Sequence, residues 1–352
     1  MAEQNTDRIS KYLTPRLQDM VFNELSPDYL ARSGAEEMLG GVPVPVGYEG
    51  SEAGGAIDIK RIVVNMARVI GGDPTFMYSK NYVEFISHAA GGDNEGAALM
   101  LVSEGAKSAD QGDLEDSCML MRAALRLSPK CRQALYLYGR ACKEIYETEP
   151  DLSDDGMGDE EKIGLFKAES IETFELLTMI HPNFAMGYYF LGYGYLNMGL
   201  YLKAQLTWKE FLEHSSGSEL ETSEMDGDTL LALRDEVSGL VDELSGPVEI
   251  EKGCNMVMSG DYQGGKSVLS EYRDGKYAEW WPLWYYLGVA ESALGNSSEA
   301  IEAYKKVLTL SPSNTDAMEE LASIYALTGD EENAAKYREK IHIIKDNVYG
   351  DA

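Results

Sequence analysis

Apolar positions recur along this chain at helical spacing, and small residues recur at fixed points among them. Trp284, Leu287 and Gly288 fall on one face of a helix. Gly295-Asn296 then marks a turn. Ala300 and Tyr304 lie one helical turn apart on the next helix, which ends at Ser311-Pro312. Gly288 and Ala300 are the positions where two helix backbones come closest, so larger side chains do not fit. The pattern predicts two helices joined by a tight turn and packed face to face.

The pattern repeats. Thirty-four residues beyond Trp284 the chain reads Met318, Leu321, Ala322, Tyr325, Gly329 and Ala334 in the same order. Upstream, Tyr188, Leu191, Gly192, Tyr195, Gly199, Ala204, Trp208 and Phe211 form a strong copy. Leu135, Tyr138, Gly139 and Cys142 open another, whose second helix carries Phe174 and Leu177 and ends at Pro182. Leu101, Gly105, Gly112-Asp113 and Pro129 make a further copy, and Gly253, Gly260-Asp261-Tyr262 and Gly265 a degenerate one. This series resembles the tetratricopeptide repeat, a 34-residue helix–turn–helix unit. The resemblance covers residues 98–218 and 246–348. It implies an all-α fold without a sheet, a right-handed superhelix of helical hairpins that grows by stacking.

The rest of the chain departs from the repeat. Residues 1–56 form an N-terminal segment with two proline-led helix starts, Thr14-Pro15 and Ser26-Pro27. Leu17, Met20, Val21 and Leu25 supply one apolar helical face there, and Gly40 to Gly55 reads as an extended Gly/Pro-rich loop. Residues 57–97 read as a capping helical hairpin, with Ile59, Ile62, Val63, Met66 and Ile70 on its first helix, Gly71-Gly72 ending that helix and Asp73-Pro74 starting the next. The first repeat block, 98–218, carries an acidic insertion near 147–162, since Gly139 and Gly192 stand farther apart than one repeat. A linker and extra helix over 219–245 precede the second block, 246–352.

Composition narrows the function. The chain holds 60 acidic and 30 basic residues, a net charge of −30. Such a protein is repelled by nucleic acid and by anionic lipid. No run of about 18 apolar residues occurs, so no membrane span is expected. The N-terminus shows no secretory signal pattern. The four cysteines, Cys118, Cys131, Cys142 and Cys254, form no CxxC pair and read as small apolar fillers in a reducing, cytoplasmic setting. The histidines have no metal-ligand spacing, and His181 before Pro182 reads as a helix-end cap.

Catalytic motifs are not found, and no cofactor is implied. Gly264-Gly265-Lys266-Ser267 looks like the end of a phosphate loop but lacks the first glycine and the preceding strand, and the repeat register places it at an inter-helix turn. Asp151, Ser153, Asp155 and Asp159 alternate like the first half of a calcium loop. Lys162 stands where the closing glutamate belongs, so a solvated acidic loop is the expectation.

In tetratricopeptide arrays the first helix of each pair lines a groove. The resemblance places the residue after Trp284, and the one a turn later, on that wall. The matching positions include Tyr136 and Arg140, Tyr189 and Tyr193, Tyr285 and Val289, and Glu319 and Ser323. Family members that bind acidic tails carry Lys and Asn there, and this chain does not. Tyr136, Tyr189, Tyr193 and Tyr285 are expected to form an aromatic stripe, with Arg140 and Lys143 as its basic groups. The expected function is non-catalytic binding of a protein or peptide. A peptide-sensing regulator, a subunit of a larger assembly and an unrecognised enzyme are the alternatives.

Overall fold

A computed structural model of the chain describes residues 7–48, 59–152, 158–216 and 227–349. The chain forms two compact units, Met1–Arg234 and Asp235–Ala352. In the first unit the repeats are three helix pairs: α6 (Asn94–Asp110) with α7 (Leu114–Leu127), α8 (Arg132–Thr148) with α9 (Glu160–Ile180), and α10 (Ala185–Asn197) with α11 (Tyr201–His214). The second unit holds three more: α13 (Ser245–Met258) with α14 (Tyr262–Ser270), α15 (Trp281–Ala293) with α16 (Ser297–Leu310), and α17 (Thr315–Leu327) with α18 (Glu331–Tyr349). A further helix, α12 (Gly227–Glu243), spans the boundary and buries only Val237. Within each unit the helix pairs stack as in a solenoid of the tetratricopeptide type.

The turn inside five of the six pairs follows one recipe. Gly112, Gly199, Gly260, Gly295 and Gly329 all adopt positive φ, between 71° and 93°. The amide of the following residue reaches back five residues to a carbonyl, for example Asp113 to Ser108 at 2.9 Å and Asp330 to Tyr325 at 2.8 Å. This is the glycine-terminated helix end, which satisfies carbonyls the helix leaves open. Where aspartate follows, it caps the next helix at once: Asp113 accepts from the Asp116 amide and Asp261 from the Gly264 amide. The sequence Gly-Asp therefore stops one helix and starts the next.

The N-terminal segment does not follow the all-helical expectation. A short helix α1 (Ser10–Leu13) runs into a 3₁₀ turn, Thr14–Leu17, and then a strand β1 (Met20–Asn23). Helices α2 (Pro27–Ser33) and α3 (Glu36–Leu39) lead to β2 (Val44–Tyr48), which pairs antiparallel with β1. Leu17, Met20, Val21 and Leu25 therefore do not share a helix. Pro43 and Pro45 hold their own segment extended, and that segment supplies an edge on which β-prone Val21 and Phe22 pair. A register shift between Val21 and Phe22 accommodates Pro45 opposite Phe22. Ser26 caps α2 as expected, accepting from the Tyr29 amide. Thr14 does not cap: its hydroxyl donates to the Gly72 carbonyl at 2.9 Å.

Gly71 and Gly72 end α4 (Ile59–Gly72), as read from the sequence, and are buried there. A Cβ on Gly71 would collide with the Met119 carbonyl of α7, so glycine lets two helices touch there. The next helix, α5 (Ser79–Ala89), starts later than Asp73-Pro74. Segment 7–48, α4, α5 and the helices up to Phe166 of α9 bury their apolar side chains in one cluster. Ile9 and Leu13 are fully buried in it. Ion pairs hold α1 in place: Arg8 to Glu172 at 2.7 Å, Arg16 to Asp113 at 2.5 Å, and Arg122 to Asp7.

Candidate binding surface

Of the residues singled out by register, the structure brings Tyr136, Arg140, Tyr189 and Tyr193 together on α8 and α10. Tyr136 packs edge-on to Phe184 at 5.2 Å and against Phe190 at 5.9 Å. Tyr189 meets Phe190 at 5.1 Å and Tyr193 at 5.2 Å, both edge to face. The result is one run of rings: Phe184, Tyr136, Phe190, Tyr189, Tyr193. Edge-to-face and tilted contacts of this kind fix ring positions. Phe184 and Phe190 were missed by the register, which selected only the residue after each repeat's first aromatic position and the one a turn later.

The rings are half-buried, and their inner edges are core. Tyr189 lies 5.5 Å from Phe211, and Tyr193 lies 4.9 Å from the fully buried Trp208. Trp208 donates to the Tyr189 carbonyl at 3.1 Å and fills the space left by Gly192. The surface is thus continuous with the packing that joins α10 to α11.

Two arginines flank the rings. Arg140 lies 5.5 Å over Tyr136 and 5.7 Å over Phe190, and Arg132 lies 5.2 Å over Phe184. Both are exposed. Neither has a carboxylate partner among the described residues, in a chain with two acids for every base. Their ring contacts orient the guanidinium planes and leave donors facing outward. Lys143 belongs to the same helix but pairs with Glu147 one turn on. Tyr285 lies in the other unit, against Trp281, Tyr286 and Tyr304.

Of the calcium candidates, Asp159 alone has a described side chain. Ser153 and Asp155 lie outside the described residues, as does the side chain of Asp151. Asp159 caps α9, accepting from the Lys162 amide at 3.0 Å, and the Tyr12 hydroxyl donates to it at 3.3 Å. Those bonds hold its carboxyl below the usual range, chiefly the one from Lys162. Lys162 itself pairs with Glu149 at 2.8 Å and Glu115 at 3.3 Å. His181 reaches the Lys130 carbonyl at 2.8 Å and so ties α9 to the preceding turn.

A cleft of about 430 Å³ in the first unit is lined by Arg16, Arg68, Asp113 and Asp116, among others. Arg68 and Asp116 are matched to one another. Arg68 grips Asp116 with two bonds of 2.7 and 3.0 Å, and Ser108 donates to the same carboxylate at 2.7 Å. A ligand there would have to break a satisfied network. All four cysteines are buried thiols. No helix among the described residues is long and apolar enough to cross a membrane.

Repeated helix pairs with glycine-terminated turns define a helical-repeat protein. Residues 281–314 match the sequence model of the tetratricopeptide repeat. That stretch is one tetratricopeptide repeat, and the other helix pairs share its helix–turn–helix form. No curated protein matches it. Among solved structures it is similar to the tetratricopeptide-repeat domain of P58(IPK), at 13% identity over 92% of this chain and 79% of that one, with a TM-score of 0.41. It is similar to MamA from Desulfovibrio magneticus RS-1, at 13% identity over 73% of this chain and 97% of that one, with a TM-score of 0.27. It is also similar to YrrB, a repeat protein with an unusual peptide-binding site, at 13% identity over 64% and 91%, with a TM-score of 0.27. These likenesses say nothing of what this chain binds.

Proposed function

We propose that this protein is a non-catalytic scaffold that holds a protein or peptide segment on the exposed face of α8 and α10. One observation carries the reading: a fixed run of five aromatic rings carries two arginines, over Phe184 and over Tyr136 and Phe190, that no carboxylate among the described residues occupies. Half-buried rings offer apolar area at little entropic cost, and oriented guanidinium groups offer donors for a carbonyl or carboxylate. The matching ligand is an extended or helical segment with apolar side chains and at least one acceptor near them. Buried thiols fit a reducing compartment, and we place the scaffold in the cytoplasm.

The test is selection of peptides from a random display library on the full-length protein. The selected peptides should combine large apolar residues with an acidic one. The double variant Arg132→Ala/Arg140→Ala should bind them at least about tenfold more weakly, as expected for loss of central anchors. Equal binding by the double variant would place the binding surface elsewhere.

A further inference from the structure

Tyr304 on α16 is fully buried, and its hydroxyl has no hydrogen-bond partner among the described residues. Its ring lies against Gly288 of α15, where a Cβ would come within 2.8 Å of Cε1 and Cζ. The ring centroid stands 5.7 Å from that of Tyr285. Tyr285 meets Trp281 edge to face at 6.3 Å, and Trp281 is 39% exposed. These residues form an aromatic group whose outer rim reaches solvent and whose floor carries an unsatisfied hydroxyl.

Helix α17 packs against this group: Ala317, Met318 and Leu321 share one buried cluster with Tyr304, and Tyr285 packs on it. Asp316, Glu319 and Glu320 lie one helical turn or less apart at spacings that put them on one face. Glu319 pairs with Lys345 at 3.0 Å. Glu320 is half-buried and makes no ion pair or hydrogen bond among the described residues. Burial pushes its carboxyl up, and the charges of Glu319 and Asp316 push it further. Burial likewise raises the Tyr304 and Tyr285 hydroxyls, and Glu320 is the leading charge acting on both.

Each of these features costs free energy in the empty protein. A buried hydroxyl lacks an acceptor, and a half-buried carboxylate lacks a counter-charge. Rotating Glu320 towards Tyr304 would satisfy the hydroxyl and still leave the charge uncompensated. A bound cation resolves both. A metal ion does not suit the site, since no set of three ligating side chains converges among the described residues. An organic cation is larger and softer, and it bonds to ring faces as well as to separated carboxylates.

We propose that Trp281, Tyr285, Tyr304, Asp316 and Glu320 form a site for the lysine or arginine side chain of a partner peptide. The cation lies against the Tyr285 ring with Glu320 as its counter-ion and Asp316 at the mouth. The Tyr304 hydroxyl then donates to Glu320. A net charge of −30 draws such a peptide in from a distance. The site uses residues of the second unit alone and is independent of the α8–α10 surface.

The probe is a fluorescein-labelled glycine–serine peptide bearing three arginines, with its citrulline counterpart as control, titrated into full-length protein at fixed ionic strength. The arginine peptide should bind and the citrulline peptide should not. Glu320→Gln and Tyr285→Ala should each weaken binding by about tenfold, as for loss of a desolvated anchor. Glu302→Gln, an exposed charge on α16, should change it by less than about twofold. Without peptide, Glu320→Gln should raise the melting temperature, because it removes an uncompensated charge. Equal weakening by Glu320→Gln and Glu302→Gln would mean attraction by overall charge and overturn the site. So would a lowered melting temperature in Glu320→Gln, which would show the carboxylate already paired. Arg132→Ala/Arg140→Ala should leave this binding intact, which separates the two surfaces.

Discussion

A glycine in a helix has opposite meanings at two places in this chain. Gly239 lies mid-way along α12, exposed, with nothing near the position a Cβ would take. Gly239→Ala should therefore gain about 0.5–1 kcal/mol from reduced backbone entropy in the unfolded chain. At Gly192 a Cβ would overlap the buried Trp208 indole. Gly192→Ala should instead cost about 1–3 kcal/mol, because the indole must move and its bond to the Tyr189 carbonyl with it. Thermal melts of the two variants should shift in opposite directions. A rise in both would show that α10 and α11 are not in contact at Gly192. Ala300→Leu belongs with Gly192: Ala300 is fully buried between helices, and the larger side chain should cost about 1–3 kcal/mol.

Elements were legible in the sequence where one residue type has one physical job. Gly-Asp at 112–113 and 260–261 marked helix boundaries because glycine alone takes the left-handed turn cheaply and aspartate caps well. Asp261→Ala should accordingly cost about 1 kcal/mol, seen as a lower denaturant midpoint. The N-terminal hairpin was not legible, because Leu17, Met20, Val21 and Leu25 fit helical spacing and only the distant Pro-held strand decides otherwise. Gly71-Gly72 was legible as the end of α4, but not its second job: buried against α7, Gly71 lets the two helices touch. The aromatic surface was half legible. Register found the tyrosines, while Phe184 and Phe190 enter through their packing on Tyr136 of α8, which no spacing records. The fully buried Leu13 sits outside the repeats, and Leu13→Ala should still cost about 2–5 kcal/mol if α1 is part of the core. A loss under about 1 kcal/mol would show that α1 is an appendage, since buried leucine truncations cost more than that.

On the scale of the whole molecule, charge sets the response to solution conditions. Sixty acids against thirty bases repel one another at neutral pH, so raising salt to about 0.3 M should raise the melting temperature by screening. Acid acts in two senses. Lys107 and Lys60 hold Glu104 below its ordinary 4.5, and bonds from Asn333 hold Asp330 below 3.8. The stability these two lend is present above those values and is lost as pH falls through their lowered folded values. Glu320 is raised by burial, so its contribution is present below 4.5 and lost as pH rises through its folded value. Relief of repulsion adds to the second effect, and stability should peak in mild acid, near about pH 5, before falling. A melting profile that climbs steadily from pH 5 to 8 would contradict this. The anchoring of α1 has a consequence in time rather than in space. Arg8 pairs with Glu172, a partner 164 residues later, and Tyr12 bonds to Asp159 after 147. During synthesis the segment that seals the first unit leaves the ribosome long before the helix that shelters it. Ile9 and Leu13 must wait in the open, and closure of the first unit is a late, long-range event in an otherwise locally folding chain.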